Sequence, residues 1–220
     1  MRAKFGIVFM SLGLCMLLGA FSLILYNRHE ASSAEQSAME LLPQLIQQIQ
    51  IESLPTEGEE STSSDASSSE SEVYEDIDLP AIYLEPKDFV MEELEIEDHA
   101  YIGYLSIPKL NLDLPVMADW SYPSLKIAPC RYFGTVKGED LVIMAHNYER
   151  HFGKISELYE GDSVLFVDVK GHVTAYKVVA RDILASTAIE EMTAGDFDLA
   201  LFTCTYSGNE RVTVFCDKAK

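Results

Sequence analysis

Residues 199–216 read LALFTCTYSGNERVTVFC, two apolar runs separated by a turn. The runs Leu199–Thr203 and Arg211–Cys216 are rich in the aliphatic and β-branched residues that favour strands, and Ser207-Gly208-Asn209 is typical of a turn. The stretch therefore predicts two β-strands with a tight connection. A thiol, Cys204, closes the first strand, and a guanidinium, Arg211, opens the second.

Four further runs between residues 101 and 179 have the same character: Tyr101–Ile107, Leu141–Ala145, Ser163–Val169 and Thr174–Val179. Turn residues separate them, at Gly138, Gly161-Asp162 and Lys170-Gly171. Many short strands with few helical periods indicate a mostly-β domain, either a single barrel or a sandwich, of about 120 residues. The longest irregular connection, Ser186–Gly195, leads into the Cys204 strand, so we expect a mobile loop beside it.

The charge of the chain is unevenly distributed. The 220 residues carry a net charge of −20, and residues 30–100 hold 20 acidic side chains against one basic side chain. From residue 101 onwards the counts are 16 acidic and 12 basic. Because no basic patch is present to neutralise phosphates, a nucleic-acid partner is excluded.

The N-terminus carries an uncharged stretch, Phe5–Tyr26, of 22 residues, with Arg2, Lys4 and Arg28 around it. As a helix it would be about 33 Å long, enough to cross a bilayer core of about 30 Å. The apolar stretch is longer than that of a cleavable signal peptide. We therefore expect an uncleaved signal anchor, a single-pass transmembrane helix over residues 1–28, with the rest of the chain outside the cell.

An acidic stalk is predicted over residues 29–98, before a catalytic domain at 99–220. Within it, Glu35–Gln50 carries five apolar residues spaced for one helical face, Leu41, Leu42, Leu45, Ile46 and Ile49. The pattern fits a juxtamembrane helix that lies on the membrane or self-associates, or a marginal helix in a linker. Glu57–Glu72 contains seven serines and six acidic residues in sixteen. Such a segment cannot bury a core and is expected to be disordered.

Three reactive side chains stand at or near predicted strand ends. Cys204 and Arg211 flank the 205–210 turn, and His146 follows Leu141–Ala145. A thiolate can attack a carbonyl, an imidazole can move protons, and a guanidinium can bind an oxyanion or orient substrate. The alternative is structural, since a cysteine on an apolar strand is most often a small buried hydrophobe. His151, in the loop after His146, is the one serious competitor for the proton-transfer role.

The order of several short motifs resembles that of the sortases, membrane-anchored cysteine transpeptidases of Gram-positive bacteria. The run GYLSIPKLNL at 103–112, followed by Leu114-Pro115-Val116, is similar to the family's G-x-L-x-I-P-K-I-x-L opening. The run LFTC at 201–204 with Arg211 is similar to its T-L-x-T-C…R signature, with Ala200 in place of the first threonine. Between these, the similarity continues through Ile127-Ala128-Pro129, Phe133-Gly134-Thr135, Ala145-His146-Asn147, Phe152, Leu158 and Gly161-Asp162.

The resemblance implies a closed β-barrel with short helices, in which Cys204 is the nucleophile, His146 the general acid/base and Arg211 the group that binds substrate or oxyanion. It also implies that Ala145 and Thr203 contact substrate. Members of the family cleave a C-terminal sorting signal of the Leu-Pro-x-Thr-Gly type in secreted proteins or pilins. They form a thioacyl enzyme and transfer the acyl group to an amine of a cell-wall precursor or a pilin lysine. No cofactor is implied.

The cysteine count leaves the redox state open. Cys15 lies in the predicted membrane span, and Cys130, Cys204 and Cys216 lie in the predicted exterior domain. A Cys130–Cys216 disulfide would leave Cys204 free, a Cys204–Cys216 bridge would abolish its nucleophilicity, and no bridge at all is equally compatible. No cluster of ligands in the sequence indicates zinc or calcium.

Three competing functions are compatible with parts of the sequence. A surface cysteine peptidase would hydrolyse the same thioacyl intermediate. A non-catalytic membrane-tethered β-domain would carry an inert Cys204. A redox protein would use Cys204 and Cys216 reversibly, but the chain has neither a C-x-x-C motif nor a thioredoxin-like α/β pattern.

Overall fold

The computed structural model describes residues 2–52 and 90–219. In these two ranges the helices are α1 (Arg2–Glu52), α2 (Tyr122–Leu125) and α3 (Ile189–Thr193), with 3-10 turns at Pro108–Leu110 and Ile155–Glu157. The strands are β1 (Leu94–Ile96), β2 (His99–Ile107), β3 (Leu112–Met117), β4 (Cys130–Phe133), β5 (Leu141–Ala145), β6 (Ser163–Asp168), β7 (Val173–Ala185), β8 (Leu199–Cys204) and β9 (Glu210–Lys218).

Eight of the strands form a closed barrel. The order is β2-β3-β4-β5-β8-β9-β7-β6, and β6 pairs back onto β2, while β1 extends the sheet beside β2. Most pairs are antiparallel, but β3–β4 and β5–β8 are parallel. The structure thus selects the barrel over the sandwich among the two architectures expected from the sequence.

Closure depends on Gly103 in β2, which pairs with Val116 of β3 on one side and with Asp168 of β6 on the other. Its backbone has φ of +141°, a conformation that L side chains rarely adopt. A Cβ atom there would overlap the Val167 carbonyl oxygen and lie 2.9 Å from Asp168 Cα. A glycine therefore lets β6 approach β2 closely enough to close the barrel.

The barrel interior is filled by alternate residues of its strands. Leu105, Ile143, Phe166 and Leu201 are all fully buried in the main apolar cluster. Because strand side chains alternate between the two faces, the intervening residues lie on the outer face. On β5, β8 and β9 that outer face carries its own apolar cluster, which positions the candidate site described below.

The sequence patterns predicted β2, β5, β6, β8 and β9 and the first part of β7. They did not predict β1, β3 and β4. β1, β3 and β4 have 3, 6 and 4 residues, and β3 contains Pro115, which cannot donate to a ladder. β7 continues to Ala185 rather than ending near Val179, because a bulge between Val178 and Ala180 lets pairing with β9 resume. The connection expected to be irregular at Ser186–Gly195 contains α3.

The helix predicted at residues 35–50 is part of α1 and packs on the barrel. Leu41, Leu45 and Ile49 are buried in an apolar cluster shared with Tyr101 and Met117 of the barrel wall. Neither expected alternative is correct, since the apolar face of the helix is covered by this chain itself. The helix also continues through Pro43, which lies on its exposed side, where water can bind the carbonyl that loses its partner.

Within the described residues, no helix combines the length and the apolar character that crossing a membrane requires. The membrane span predicted at residues 5–26 remains a prediction from the sequence. The serine- and acid-rich segment Glu57–Glu72, predicted to be disordered, lies outside the described residues.

We predict that Gly103→Ala destabilises the chain by roughly 3 kcal/mol or more, because it adds a steric overlap to an unfavourable backbone conformation. Gly161→Ala is the matched control, since Gly161 has φ of +89° but no atom near its added Cβ. It should cost only about 1–2 kcal/mol. Urea unfolding followed through the single tryptophan, Trp120, measures both. Equal costs for the two variants would contradict the role of Gly103 in closure.

A second prediction concerns the docking of α1. Leu45 is fully buried, so Leu45→Ala should destabilise the full chain by about 2–5 kcal/mol in the same unfolding experiment. Gln48→Ala, at an exposed position of the same helix, should change stability by less than about 0.5 kcal/mol. If Leu45→Ala behaves like Gln48→Ala, the helix contributes nothing to the folded barrel.

Candidate active site

The three candidate catalytic residues come to the same end of three adjacent strands. Cys204 is the last residue of β8 and pairs directly with Arg211 of β9. On the other side of β8, Ala145 of β5 pairs with Thr203, so His146 is the next residue beside Cys204. Neighbouring strands lie about 4.8 Å apart, which brings an imidazole, a thiol and a guanidinium into one row.

The three side chains also share one face of the sheet. Ile143 and Ala145 of β5, Leu201 of β8 and Val214 of β9 belong to the interior cluster. Because side chains alternate along a strand, His146, Cys204 and Arg211 belong to the outer face. On that face the strand register aligns two preceding rows of side chains, Val142–Ala200–Phe215 and Met144–Phe202–Thr213, and the three reactive residues form the next row. All three are partly exposed, so a substrate can reach them.

An apolar floor lies beside the row. Phe202, two residues before Cys204, is buried with Val142 and Phe215, and Met192 of α3 covers the same cluster. The connection predicted to border the site therefore does so through α3. This floor lowers the local polarity next to the thiol, which strengthens electrostatic interactions made there.

Thr203 holds β8 against β5 directly beside the row. Its hydroxyl donates a hydrogen bond of 2.8 Å to the carbonyl oxygen of Ala145, and both residues are buried. The bond fixes the register that aligns Cys204 with His146. Contact of Ala145 or Thr203 with substrate remains a prediction.

Arg211 is held by its own turn and keeps donors available. Its Nη1 donates to the carbonyl oxygens of Gly208 and Glu210, each at 3.0 Å. Its Nε and Nη2 groups make no hydrogen bond with any residue that the structure describes. The planar guanidinium is thus oriented by one edge, while its other N–H groups can donate to an oxygen of a ligand.

The two candidate histidines after β5, His146 and His151, differ in their exposure to solvent. His146 is partly exposed at the strand end, whereas His151 is fully buried. Burial, with a smaller contribution from His146, lowers the pKa of His151 to about 4. A neutral, buried imidazole cannot exchange protons directly with a substrate, so only His146 is suitably placed for that role.

All four cysteines are free thiols, which removes both disulfides considered from the sequence. Cys216 lies in the barrel interior, opposite Leu199 on β8, and so belongs to the other face from Cys204. Cys130 is buried in the separate cluster beneath α1. A reversible Cys204–Cys216 couple is therefore incompatible with this arrangement.

An aromatic row, which the sequence did not reveal, leads from the protein surface to the floor. Trp120 lies 6.0 Å from Tyr132, and Tyr132 meets Phe202 edge-on at 5.3 Å between ring centroids. Trp120 is 43% exposed, so the row begins in solvent and ends beside Cys204. These residues come from separate segments, and a single sequence contains no periodic signal that joins them.

A cavity of about 460 Å³ lies at the opposite end of the barrel, lined by Val90, Val136, Lys170 and Lys218 among others. None of the three candidate catalytic residues lines it. The described residues also contain no group of three or more His, Cys, Asp or Glu side chains arranged to hold a metal. The candidate site is therefore identified by its row of reactive groups and not by this cavity.

Comparison with known proteins agrees with this architecture. The Sortase domain family matches residues 105–219, more than half of the chain. The fold is similar to that of Clostridium perfringens sortase C with the C-terminal cell wall sorting motif, at 28% identity and TM-score 0.50 over 59% of this chain and 74% of that one. A search of curated protein sequences gives no significant match.

Two more distant structures show the same fold. Streptococcus pneumoniae sortase C has 22% identity and TM-score 0.51 over 58% of this chain and 69% of that one. Sortase A from Corynebacterium diphtheriae has 20% identity and TM-score 0.50 over 56% of this chain, and the match spans 62% of its own length. Fold and domain match together define a sortase-type β-barrel. The chain belongs to the sortase family, whose members are cysteine transpeptidases.

We predict that a thiol reagent distinguishes Cys204 from the two other barrel cysteines. Burial raises the pKa of Cys130 to about 12 and also raises the pKa of Cys216, so neither forms thiolate at pH 7. Iodoacetamide should therefore modify Cys204 in the native chain, and Cys130 and Cys216 only after unfolding in urea. Peptide mass spectrometry gives the site of modification, with the urea-unfolded chain as the control in which Cys130, Cys204 and Cys216 should all react. Native labelling of Cys216 at the rate of Cys204 would contradict the burial argument.

Proposed function

We propose that this chain cleaves a C-terminal sorting signal of the Leu-Pro-x-Thr-Gly type in secreted proteins and transfers the acyl product to an amine. The observation that carries the proposal is the row of His146, Cys204 and Arg211 on one face of three adjacent strands. Each group in the row supplies one part of cysteine-based acyl transfer, and family membership provides independent support.

In the first half-reaction the Cys204 sulfur, as thiolate, attacks the threonine carbonyl carbon of the sorting signal. The resulting tetrahedral intermediate carries a negative oxygen. When it collapses, the carbon–nitrogen bond to glycine breaks, and His146 donates the proton that the leaving amine needs. The product is a thioester on Cys204 together with the released C-terminal fragment.

In the second half-reaction an amine attacks the thioester carbonyl. His146, now neutral, accepts the proton of the attacking amine, the carbon–sulfur bond breaks and the thiolate is regenerated. A new amide bond therefore replaces the one that was cleaved, with no net consumption of water. Splitting a difficult amide exchange into two acyl transfers is the benefit of the covalent intermediate.

Arg211 is proposed to bind the oxyanion or the substrate backbone. Two of its N–H bonds are used by the 208–210 turn, which fixes the plane of the guanidinium without satisfying its remaining donors. Because the remaining N–H donors of Arg211 are already oriented, little reorganisation is needed when negative charge develops on the substrate oxygen. The apolar floor beside the row would make such bonds stronger than in water.

The aromatic row offers a route for the sorting signal. Its leucine and proline would pack on apolar surface, and the partly exposed rings of Trp120 and Tyr132 provide one. Tyr132 in turn contacts buried Phe202, two residues before Cys204. The Clostridium perfringens sortase C structure contains the C-terminal cell wall sorting motif, and the Streptococcus pneumoniae sortase C has a pilin substrate specificity. Secreted surface proteins or pilins are accordingly proposed as partners here, with a cell-wall precursor amine or a pilin lysine as acceptor.

The proposed location is the outer face of the cell membrane. The supporting observation is the uncharged segment at residues 5–26, which would anchor residues 1–28. Residues 29–98 would connect this anchor to the catalytic domain at 99–220, with the C-terminal part of α1 and β1 packed on the barrel rather than forming a free stalk. The enzyme would then act on substrates as they leave the cell.

We predict that three substitutions separate the three roles. In Cys204→Ala no covalent adduct should form, because the sulfur that would carry it is gone. In His146→Ala the thiol remains but turnover should fall about 10²–10⁴-fold through loss of proton transfer. Arg211→Lys should also be severely impaired, because a point charge does not replace a planar fork. Mass spectrometry of the full chain with a panel of Leu-Pro-x-Thr-Gly-type peptides and triglycine measures adduct, transfer and hydrolysis.

Each substitution has a control of the same residue type or from the same turn. Cys15→Ala, His172→Ala at the opposite end of the barrel and Glu210→Gln beside Arg211 should all retain wild-type activity. Full activity of Cys204→Ala would reject the transpeptidase proposal. An adduct that releases only hydrolysed peptide at every triglycine concentration would indicate a peptidase instead.

A further inference from the structure

The loop that follows β5 carries an aromatic stack against the candidate acid/base group. The rings of His146 and Tyr148 are stacked, with 4.7 Å between centroids and 29° between planes. On the same tyrosine, the His151 ring lies at 5.6 Å and 47°. Tyr148 therefore contacts two imidazoles, one partly exposed at the site and one in the protein interior.

Backbone hydrogen bonds fix the loop that presents this stack. The amides of His151 and Gly153 donate to the Tyr148 carbonyl oxygen at 3.0 and 2.9 Å, and the amide of Phe152 donates to the His146 carbonyl oxygen at 3.1 Å. Phe152 is fully buried in the main core and anchors the far end of the loop. The stack thus rests on a tight turn with its own attachment to the barrel.

His151 is an unusual residue to bury at the base of the stack. It is fully buried, and neither ring nitrogen has a hydrogen-bond partner among the residues that the structure describes. Burying unpaired polar atoms costs free energy that an apolar ring would not cost. The position consequently calls for an explanation beyond packing.

We propose that Tyr148 and His151 are positioning residues that hold the His146 imidazole in the orientation required for proton transfer at Cys204. The proposal rests on the transpeptidase function proposed above. An imidazole side chain can rotate about two side-chain bonds, and misplacement of a reacting group by about 1 Å can cost about 100-fold in rate. A flat ring stacked on one face of the imidazole restricts that rotation.

The neutrality of His151 is compatible with this role. Because burial lowers the pKa of His151 to about 4, this imidazole is uncharged at neutral pH. During the reaction His146 passes through its protonated form, and a second imidazolium within the same stack would oppose that step. A neutral ring supports His146 without adding this repulsion.

The test compares variants of the full chain that remove the aromatic ring at Tyr148 or His151 with variants that keep a ring there. Tyr148→Ala should lower kcat about 10- to 100-fold with little change in KM, because the missing support affects proton transfer more than substrate binding. Tyr148→Phe keeps the stacking surface and should retain activity within about twofold. His151→Ala should lower kcat in the same direction, and His151→Phe should restore most of it. Tyr159→Ala, at an exposed tyrosine outside the stack, is the control.

Activities are measured with internally quenched Leu-Pro-x-Thr-Gly-type peptides and expressed per folded chain, counted as the fraction in which buried Cys216 stays unmodified by iodoacetamide under native conditions. A purely structural role would reduce this folded fraction and leave kcat per folded chain unchanged, and that result would overturn the proposal. Wild-type kcat in Tyr148→Ala would overturn it equally. In both cases an active wild-type chain would leave the transpeptidase function intact. A wild-type chain that acylates no peptide would instead reject that function, and the positioning role with it.

Discussion

The pairing of one strand with two neighbours governs the architecture of this protein. β2 lies against both β3 and β6, and that double pairing closes the sheet, because no side chain at Gly103 keeps β6 away. A closed sheet has no free edge along its length, so each strand has a fixed register with respect to the next. The arrangement of reactive groups on β5, β8 and β9 follows from those registers rather than from any contact among the groups themselves.

The register at the site is secured locally as well as globally. Thr203 reaches from β8 to the carbonyl oxygen of Ala145, one residue from both Cys204 and His146. The same strands are apolar on both faces, with one set of side chains in the barrel and another under α3. The reactive residues are therefore partly exposed to solvent, while the strands that carry them are packed against buried side chains on both faces.

Much of this could be predicted from the sequence, and the exceptions have physical reasons. β5 and β8 are continuous apolar runs because both of their faces are buried, so their pattern was recognisable. β3 and β4 pair through a single register position, Met117 with Cys130, and such brief strands leave little periodic signal. The amphipathic pattern of Leu41, Leu45 and Ile49 predicted a helix correctly but could not identify its partner. The ring contacts of Tyr148 and of Trp120 arise from tertiary packing, which spacing along one chain does not encode.

The docking of α1 has a consequence for where the enzyme could work. Its buried face begins at Ala38, twelve helical residues after Tyr26, the end of the uncharged segment, which corresponds to about 18 Å of rigid rise. On the proposed membrane topology, the barrel would not sweep out a volume on a loose tether. It would stay at a nearly constant height above the lipid, so its substrates would be those whose cleavage sites pass through a thin layer next to the membrane.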